Sequence, residues 1–244
     1  MNFNNILFLD IETVPQFETY SDLTEEWKEL WDHKAQQFLR NKENGEDPGS
    51  VYDRAGIYAE FGKIVCISVG LITGTNGDRK LNIKSFCCDD EEKLLKDFAD
   101  MCNRWATDNS KQLCAHNGKE FDFPYICRRM IINQVPIPGL LQIAGRKPWE
   151  INHIDTMELW KFGDYKSYTS LKLLALSLGI PSPKDDIDGS MVHWVYWKDK
   201  DLDRIAIYCQ KDVVTLVQVL LRYHGQPFIL PENVELKTLR KAEV

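Results

Sequence analysis

The apolar positions of this chain change period several times, and the changes mark its elements. Ile6-Leu7-Phe8-Leu9 is a continuous apolar run, too short for a buried helix, and it reads as a core strand ending at Asp10-Ile11-Glu12. Residues 63–73 and 80–87 read as two more strands, joined by a turn at Thr75-Asn76-Gly77-Asp78. Helical spacing then takes over. Asp89-x-x-Glu92 opens a helix to about Trp105, with Leu94, Leu95, Phe98, Met101, Cys102 and Trp105 facing inward. Leu113 to Ala115 is a short strand, His116-Asn117-Gly118 a turn, and Phe121 onward a helix with Asp122 in its first turn. Residues 152–155 form a fifth strand. Ser170 to Leu178 is a helix closed by Gly179-Ile180-Pro181. From Leu202 to Tyr223 the apolar residues Leu202, Ile205, Ala206, Cys209, Val213, Leu216, Val217 and Leu220 form one helical stripe.

Residues 16–60 interrupt the pattern between the first two strands and read as an insertion. It holds a helix from Leu23 to about Arg40, with Asp22-x-x-Glu25 as its capping signal. Trp27, Leu30, Trp31 and Phe38 share one face of that helix, a stripe that suits core packing better than the cover of a cleft. Residues 41–50 read as a loop. Early strands followed by alternating strands and helices predict an α/β chain, with a mixed five-stranded sheet flanked by helices. We read residues 1–244 as one domain, without repeats or a second core.

Composition narrows the function. Apolar residues make up 43% and charged residues 27% of the chain, as in ordinary globular proteins. No apolar stretch approaches the ~18 residues of a membrane span, and no signal-peptide pattern is expected at the N-terminus. Seven cysteines without a Cys-x-x-Cys pair predict neither a disulfide framework nor a zinc knuckle, and a cytoplasmic setting is expected. Cys66, Cys114, Cys127 and Cys209 read as small core residues. The net charge of −7 is unevenly spread. Residues 1–110 hold 12 basic and 21 acidic side chains, whereas residues 111–172 hold 9 and 6. Lys119, Arg128, Arg129, Arg146, Lys147, Lys161, Lys166 and Lys172 thus form a candidate phosphate-contacting stretch.

Candidate chemistry lies at the ends of these elements. Strand alternation puts Asp10 and Glu12 on one face, where two carboxylates repel each other unless a hard divalent cation such as Mg²⁺ or Mn²⁺ relieves the charge. Tyr208 and Asp212 are four apart on the last helix and share a face. Alone, either pair is equally a solvated surface feature. Together with Asn117-x-x-x-Phe121-Asp122, they resemble the three motifs of the DEDD (DnaQ-like) superfamily of 3′→5′ exonucleases. Tyr208-x-x-x-Asp212 corresponds to its tyrosine form, and Ile207 stands where the histidine form would place its His. The chain is most similar to bacterial proteins related to the exonuclease domain of family B DNA polymerases, and the similarity runs from Ile6 to about Tyr223.

This resemblance implies a ribonuclease H-like fold and a two-metal hydrolysis of phosphodiester bonds that releases 5′-mononucleotides. It implies Asp10, Glu12, Asp122 and Asp212 as ligands of two Mg²⁺ or Mn²⁺ ions, and Tyr208 as the group that orients the water. Thr13, Asn117 and Phe121 become candidates for holding the terminal nucleotide, although Asn117 equally suits its turn and Phe121 suits packing. Asp155 resembles a further acid that supports such sites from behind. His116, His153 and His193 lack ligand spacing and read as structural. Lys184-Asp185-Asp186-Ile187-Asp188-Gly189 lacks the spacing and distal Glu of a calcium loop, and reads as a loop before a helix carrying Trp194 and Trp197. The expected partner is the 3′ end of nucleic acid, with single-stranded DNA favoured over RNA. An exoribonuclease and a non-catalytic nucleic-acid-binding domain are the alternatives, and a polymerase module is excluded by length. Protein partners are not legible.

Overall fold

The computed structural model describes residues 1–39, 47–75, 77–164, 166, 168–181 and 186–237. Their centre is a mixed sheet of six strands: β1 (Ile6–Pro15), β2 (Gly62–Thr73), β3 (Lys80–Cys87), β4 (Gln112–Ala115), β5 (Ile154–Asp155) and β6 (Val234–Lys237). They lie in the order β5-β4-β1-β2-β3-β6. β1, β2 and β3 are antiparallel neighbours, β4 and β5 run parallel to β1, and β6 runs parallel to β3. The sheet has one strand more than the sequence predicts. β6 is four residues long and has no apolar run of its own, and it pairs at the edge through Leu81↔Val234 to Lys84↔Lys237.

Among the described residues, seven α-helical segments accompany the sheet: α1 (Glu25–Leu39), α2 (Glu91–Trp105), α3 (Asp122–Ile132), α4 (Thr156–Lys161), α5 (Leu171–Ser177), α6 (Val192–Trp194) and α7 (Leu202–Tyr223). The sequence reading missed α4, which is six residues long. α6 is a single turn that continues into a π-helical turn, Val195–Asp199, and this pair replaces the expected helix around Trp194 and Trp197. α2 is capped by Asp90 rather than Asp89. Asp22 closes the preceding turn by accepting the Thr19 N–H at 2.9 Å, so α1 begins at Glu25. Residues 40–46, Asn76 and residues 182–185, on which parts of the α1, loop and turn expectations fall, lie outside the described residues.

Strand alternation divides the core. Leu7, Leu9 and Ile11 of β1 pack towards α2 and α3 with Leu95, Phe98, Phe123 and Ile126. Ile6 and Phe8 pack on the opposite face against Val213, Leu216, Val217 and Leu220 of α7. Asp10 and Glu12 continue the second row, so they emerge beneath α7. The close seating of α7 depends on Gly70 of β2. A Cβ there would lie 2.7 Å from Val213 Cγ1, inside any tolerable contact.

Contrary to the expectation of no second core, the insertion builds a small core of its own, because its aromatic side chains pack on one another. Trp31 is fully buried among Tyr52, Ala55 and Phe61, and its indole N–H donates to the Pro48 carbonyl at 2.8 Å. The aromatic stripe of α1 is therefore packing, although Leu30 stays 58% exposed. A 3-10 helix, Gly49–Ile57, leads from this core back to β1 and occupies part of what the sequence suggests is loop.

Candidate active site

Three elements converge at the carboxyl end of β1. β4 stops at Ala115, its pairing with β1 ending at Phe8↔Cys114. The Ile11 N–H beyond that point is taken by the Asp122 carboxylate at the start of α3. Asp122 is thereby fixed alongside Asp10 and Glu12. A bulge between Glu12 and Thr13 shifts the register against β2, from Glu12↔Cys66 to Thr13↔Ile64. Bulges re-aim side chains, and Thr13 bonds with the buried Tyr125 hydroxyl, which itself donates to Gly56 O at 2.7 Å.

The turn before α3 is held by Asp155. Its carboxylate caps α4, accepting from Met157 N–H at 2.9 Å and Glu158 N–H at 3.2 Å. It also reaches across to Asn117 N–H at 2.9 Å and Lys119 N–H at 3.1 Å. Asn117 sits at φ +65°, a left-handed conformation that Asn tolerates better than most residues. Phe121 packs on Tyr125, with ring centroids 5.3 Å apart. Asp155 thus lies behind the turn, and its charge is felt by Asp122.

From α7 come Tyr208, Cys209 and Asp212. The Tyr208 hydroxyl donates to Asp212. The Cys209 thiol lies 3.4 Å from Asp10 Oδ2 and 3.4 Å from the Asp10 carbonyl. One ligand atom each from Asp10, Glu12 and Cys209 lies within 4.8 Å of the others. The sequence reading placed Cys209 in the core and missed its contact with the acids. The signal was its position three residues before Asp212, on the same helix face.

The electrostatics are those of an uncompensated acidic cluster. Burial pushes the Asp10 carboxyl well above the usual range, and Cys209, Glu12, Asp212 and Asp122 push it further. Burial likewise raises Glu12, followed by the charges of Asp212 and Asp122, against a smaller lowering from its hydrogen bond with Asp10. Asp122 is raised to about 7, chiefly by burial, with Asp155 adding to it and backbone N–H groups opposing. The Tyr208 phenol is pushed far up by burial and by Asp212, Glu12 and Asp10, so it remains a protonated donor. Among the described residues, no ion pair includes Asp10, Glu12 or Asp122. Buried carboxylates without a cationic partner, with a share of the Asp10 surface still open, fit hard divalent cations.

The shifts predict a pH-dependent stability. An acid with a raised pKa keeps its proton in the folded state where the unfolded chain has lost it, so stability falls as pH rises between the two values. For Asp122 that window runs from 3.8 to about 7. Buried His116 and His153 have lowered pKa values and slope the other way. The Tm difference between Asp122→Asn and the wild type, measured in chelator, is therefore expected to grow across the window in favour of the variant. A flat difference would contradict the assignment.

The basic stretch does not stay together. The Arg129 guanidinium is buried, donating from Nε to Glu91 Oε1 at 2.9 Å and from Nη1 to Ala59 O at 2.8 Å. It is a structural group, not a phosphate contact. Arg146 and Lys147 precede Asn152, whose carbonyl accepts from Gln112 at the start of β4, the end of the sheet away from the acids. Lys119 faces Glu158 at 2.7 Å. The three histidines differ from one another. His116 and His153 are hydrogen-bonded through both ring nitrogens, whereas the buried Nδ1 of His193 has no hydrogen-bond partner.

Comparison with known proteins agrees with this geometry. Residues 57–233 match the model of a family described as predicted 3′-5′ exonuclease related to the exonuclease domain of PolB. The family B DNA polymerase of the hyperthermophilic archaeon Pyrobaculum calidifontis is similar in structure, with a TM-score of 0.54 and 16% identity over 89% of this chain and 24% of that chain. That likeness is one of fold, the ribonuclease H-like arrangement. The RNase domain of yeast Pop2 is more distant, with a TM-score of 0.43 and 12% identity over 95% of this chain and 81% of that chain. No curated protein matches the chain significantly.

Proposed function

Because the chain belongs to the family of predicted 3′-5′ exonucleases related to the exonuclease domain of PolB, we propose that its acidic cluster hydrolyses phosphodiester bonds at the 3′ end of nucleic acid, single-stranded DNA before RNA. Residues 1–244 act as one exonuclease domain with an insertion at 16–60, of the tyrosine type. The observation that carries this reading is the meeting of Asp10, Glu12, Asp122 and Asp212, from three separate elements, in one acidic cluster where burial and the neighbouring acids hold Asp10 and Glu12 well above their usual pKa range. Free cysteines at all seven positions suit a reducing compartment, the cytoplasm.

The four carboxylates would hold two Mg²⁺ or Mn²⁺ ions. Bound there, such ions supply an activated water and stabilise the charge on the leaving oxygen. The chain's own residues do the rest. Asp10 feels the charges of Glu12, Asp212 and Asp122 and would serve both ions. Tyr208, kept protonated and donating its one O–H to Asp212, positions the water by accepting a hydrogen bond from it at the phenol oxygen and does not act as a base. Thr13, Asn117 and Phe121 border the cluster on the α3 side and seat the terminal nucleoside. Asp155 holds the Asn117 turn, and through it the start of α3.

A matched pair of 5′-labelled DNA and RNA strands, incubated with Mg²⁺, Mn²⁺ or chelator, tests this. Either ion is expected to support shortening of the DNA, with RNA slower and nothing shortened in chelator. Full activity after exhaustive chelation would end the metal reading. Faster shortening of RNA would reassign the substrate.

A further inference from the structure

The segment between β5 and α5 leaves the sheet as an excursion whose two ends are held by one side chain. His116 Nδ1 lies 2.9 Å from Thr156 Oγ1, at the start of α4, and His116 Nε2 lies 2.8 Å from Thr169 O, just before α5. A carbonyl can only accept, so Nε2 carries the proton and Nδ1 accepts from the threonine hydroxyl. Burial lowers the His116 pKa, which keeps the ring in this neutral, doubly bonded form. His116 directly precedes Asn117. The excursion therefore hangs on the same turn that presents Asp122.

The side chains it displays do not serve packing. Phe162 is 91% exposed and Tyr168 71% exposed. Phe162 also adopts φ +44°, a left-handed conformation disfavoured for a bulky residue. Its ring buries almost nothing in return. Lys161 precedes it, and the exposed Lys166 stands two residues before Tyr168. Lys166 is three residues from the Thr169 anchor, a reach of at most ~10 Å. Exposed rings alternating with lysines, in a chain whose net charge is −7, favour a polyanion with stackable faces over an apolar protein partner.

We propose that this stapled excursion is an arm that guides a single nucleic-acid strand, on the 5′ side of the bond to be cut, into the acidic cluster. Tyr168 and Phe162 stack on bases, and Lys161 and Lys166 contact phosphates. The direction of the strand rests on the nuclease reading above, whereas binding by the arm does not.

The test separates the two. Binding of a labelled single-stranded oligothymidylate is measured by fluorescence anisotropy in chelator, where no hydrolysis occurs, for the wild type and for Lys166→Ala/Tyr168→Ala. Both positions are exposed, so an unchanged Tm confirms that the variant folds. The variant is expected to bind ~10- to 100-fold more weakly, the size of one lost stacking contact, with a salt slope reduced by about 0.7 for the lost lysine. A Kd within about twofold of the wild type, or no binding by the wild type, overturns the arm. An equal loss from Lys147→Ala/Trp149→Ala, which removes a lysine and an exposed ring from outside the excursion, overturns it too. A wild type that binds the strand but never shortens it with Mg²⁺ leaves the arm standing and removes the nuclease reading instead.

Discussion

Asp10→Ala is expected to reduce phosphodiester hydrolysis by more than about 10³-fold, because a metal ligand shared by both ions contributes several kcal/mol to the barrier. Losing a single acid–base group costs less, typically ~10²- to 10⁴-fold with the rest of the site intact. The variant should fold. Asp10 follows Ile6 and Phe8 in a row whose apolar members carry the packing, and its polar neighbours include the thiol of Cys209 and the Glu12 carboxyl. Removing it also removes a carboxyl that burial and the neighbouring acids hold well above its usual pKa range. In chelator the Tm should therefore hold or rise. Hydrolysis by Asp10→Ala at the wild-type rate, from a preparation free of other nucleases, would end the two-metal reading. A Tm that fell steeply would show instead that Asp10 is part of the packing.

The acids were legible in the sequence for a reason that does not extend to their surroundings. Alternation along Ile6-Leu7-Phe8-Leu9-Asp10-Ile11-Glu12 fixes which face each carboxylate takes, and helical spacing does the same for Tyr208 and Asp212. Both are local rules. Cys209 obeys the same helical rule, yet a cysteine within an apolar stripe looks like core until β1 is laid beneath it. The sheet's sixth strand was hidden because β6 has only four residues, and its edge position demands no apolar run. α4 was hidden by its length, its start being set by Asp155, whose carboxylate also holds the Asn117 turn 38 residues away in sequence. The basic stretch failed as a single patch because summed charge carries no direction. Arg129 turns inward to Glu91, and Lys119 turns to Glu158. Charge counted along a chain becomes a surface only when topology says which loops share an edge.

A circular single strand is expected to resist this protein completely, while a linear strand of the same sequence is shortened from its 3′ end one nucleotide at a time. The expectation follows from how the site is closed. On the α3 side, the Asn117 turn, Phe121 and Thr13 adjoin the acids in sequence, and the turn is tied down by two backbone hydrogen bonds to Asp155, from Asn117 and Lys119. Thr13 is tied to Tyr125, and Tyr125 to Gly56 at the mouth of the insertion. A chain end fits against such a wall, but a strand that continues in both directions must cross it. The His116-stapled excursion offers the exposed Phe162, Lys166 and Tyr168 to lead a strand away. A 3′-phosphate should slow shortening strongly, since it brings a second anion against buried carboxylates. Binding through backbone charge and stacking makes the reaction nearly blind to sequence and sensitive to salt. The two substrates are compared with a 5′ label on the linear strand and an internal label in the circle, both in Mg²⁺. Efficient opening of the circle would identify an endonuclease, and the wall formed by Thr13, Asn117 and Phe121 would then have to be a channel.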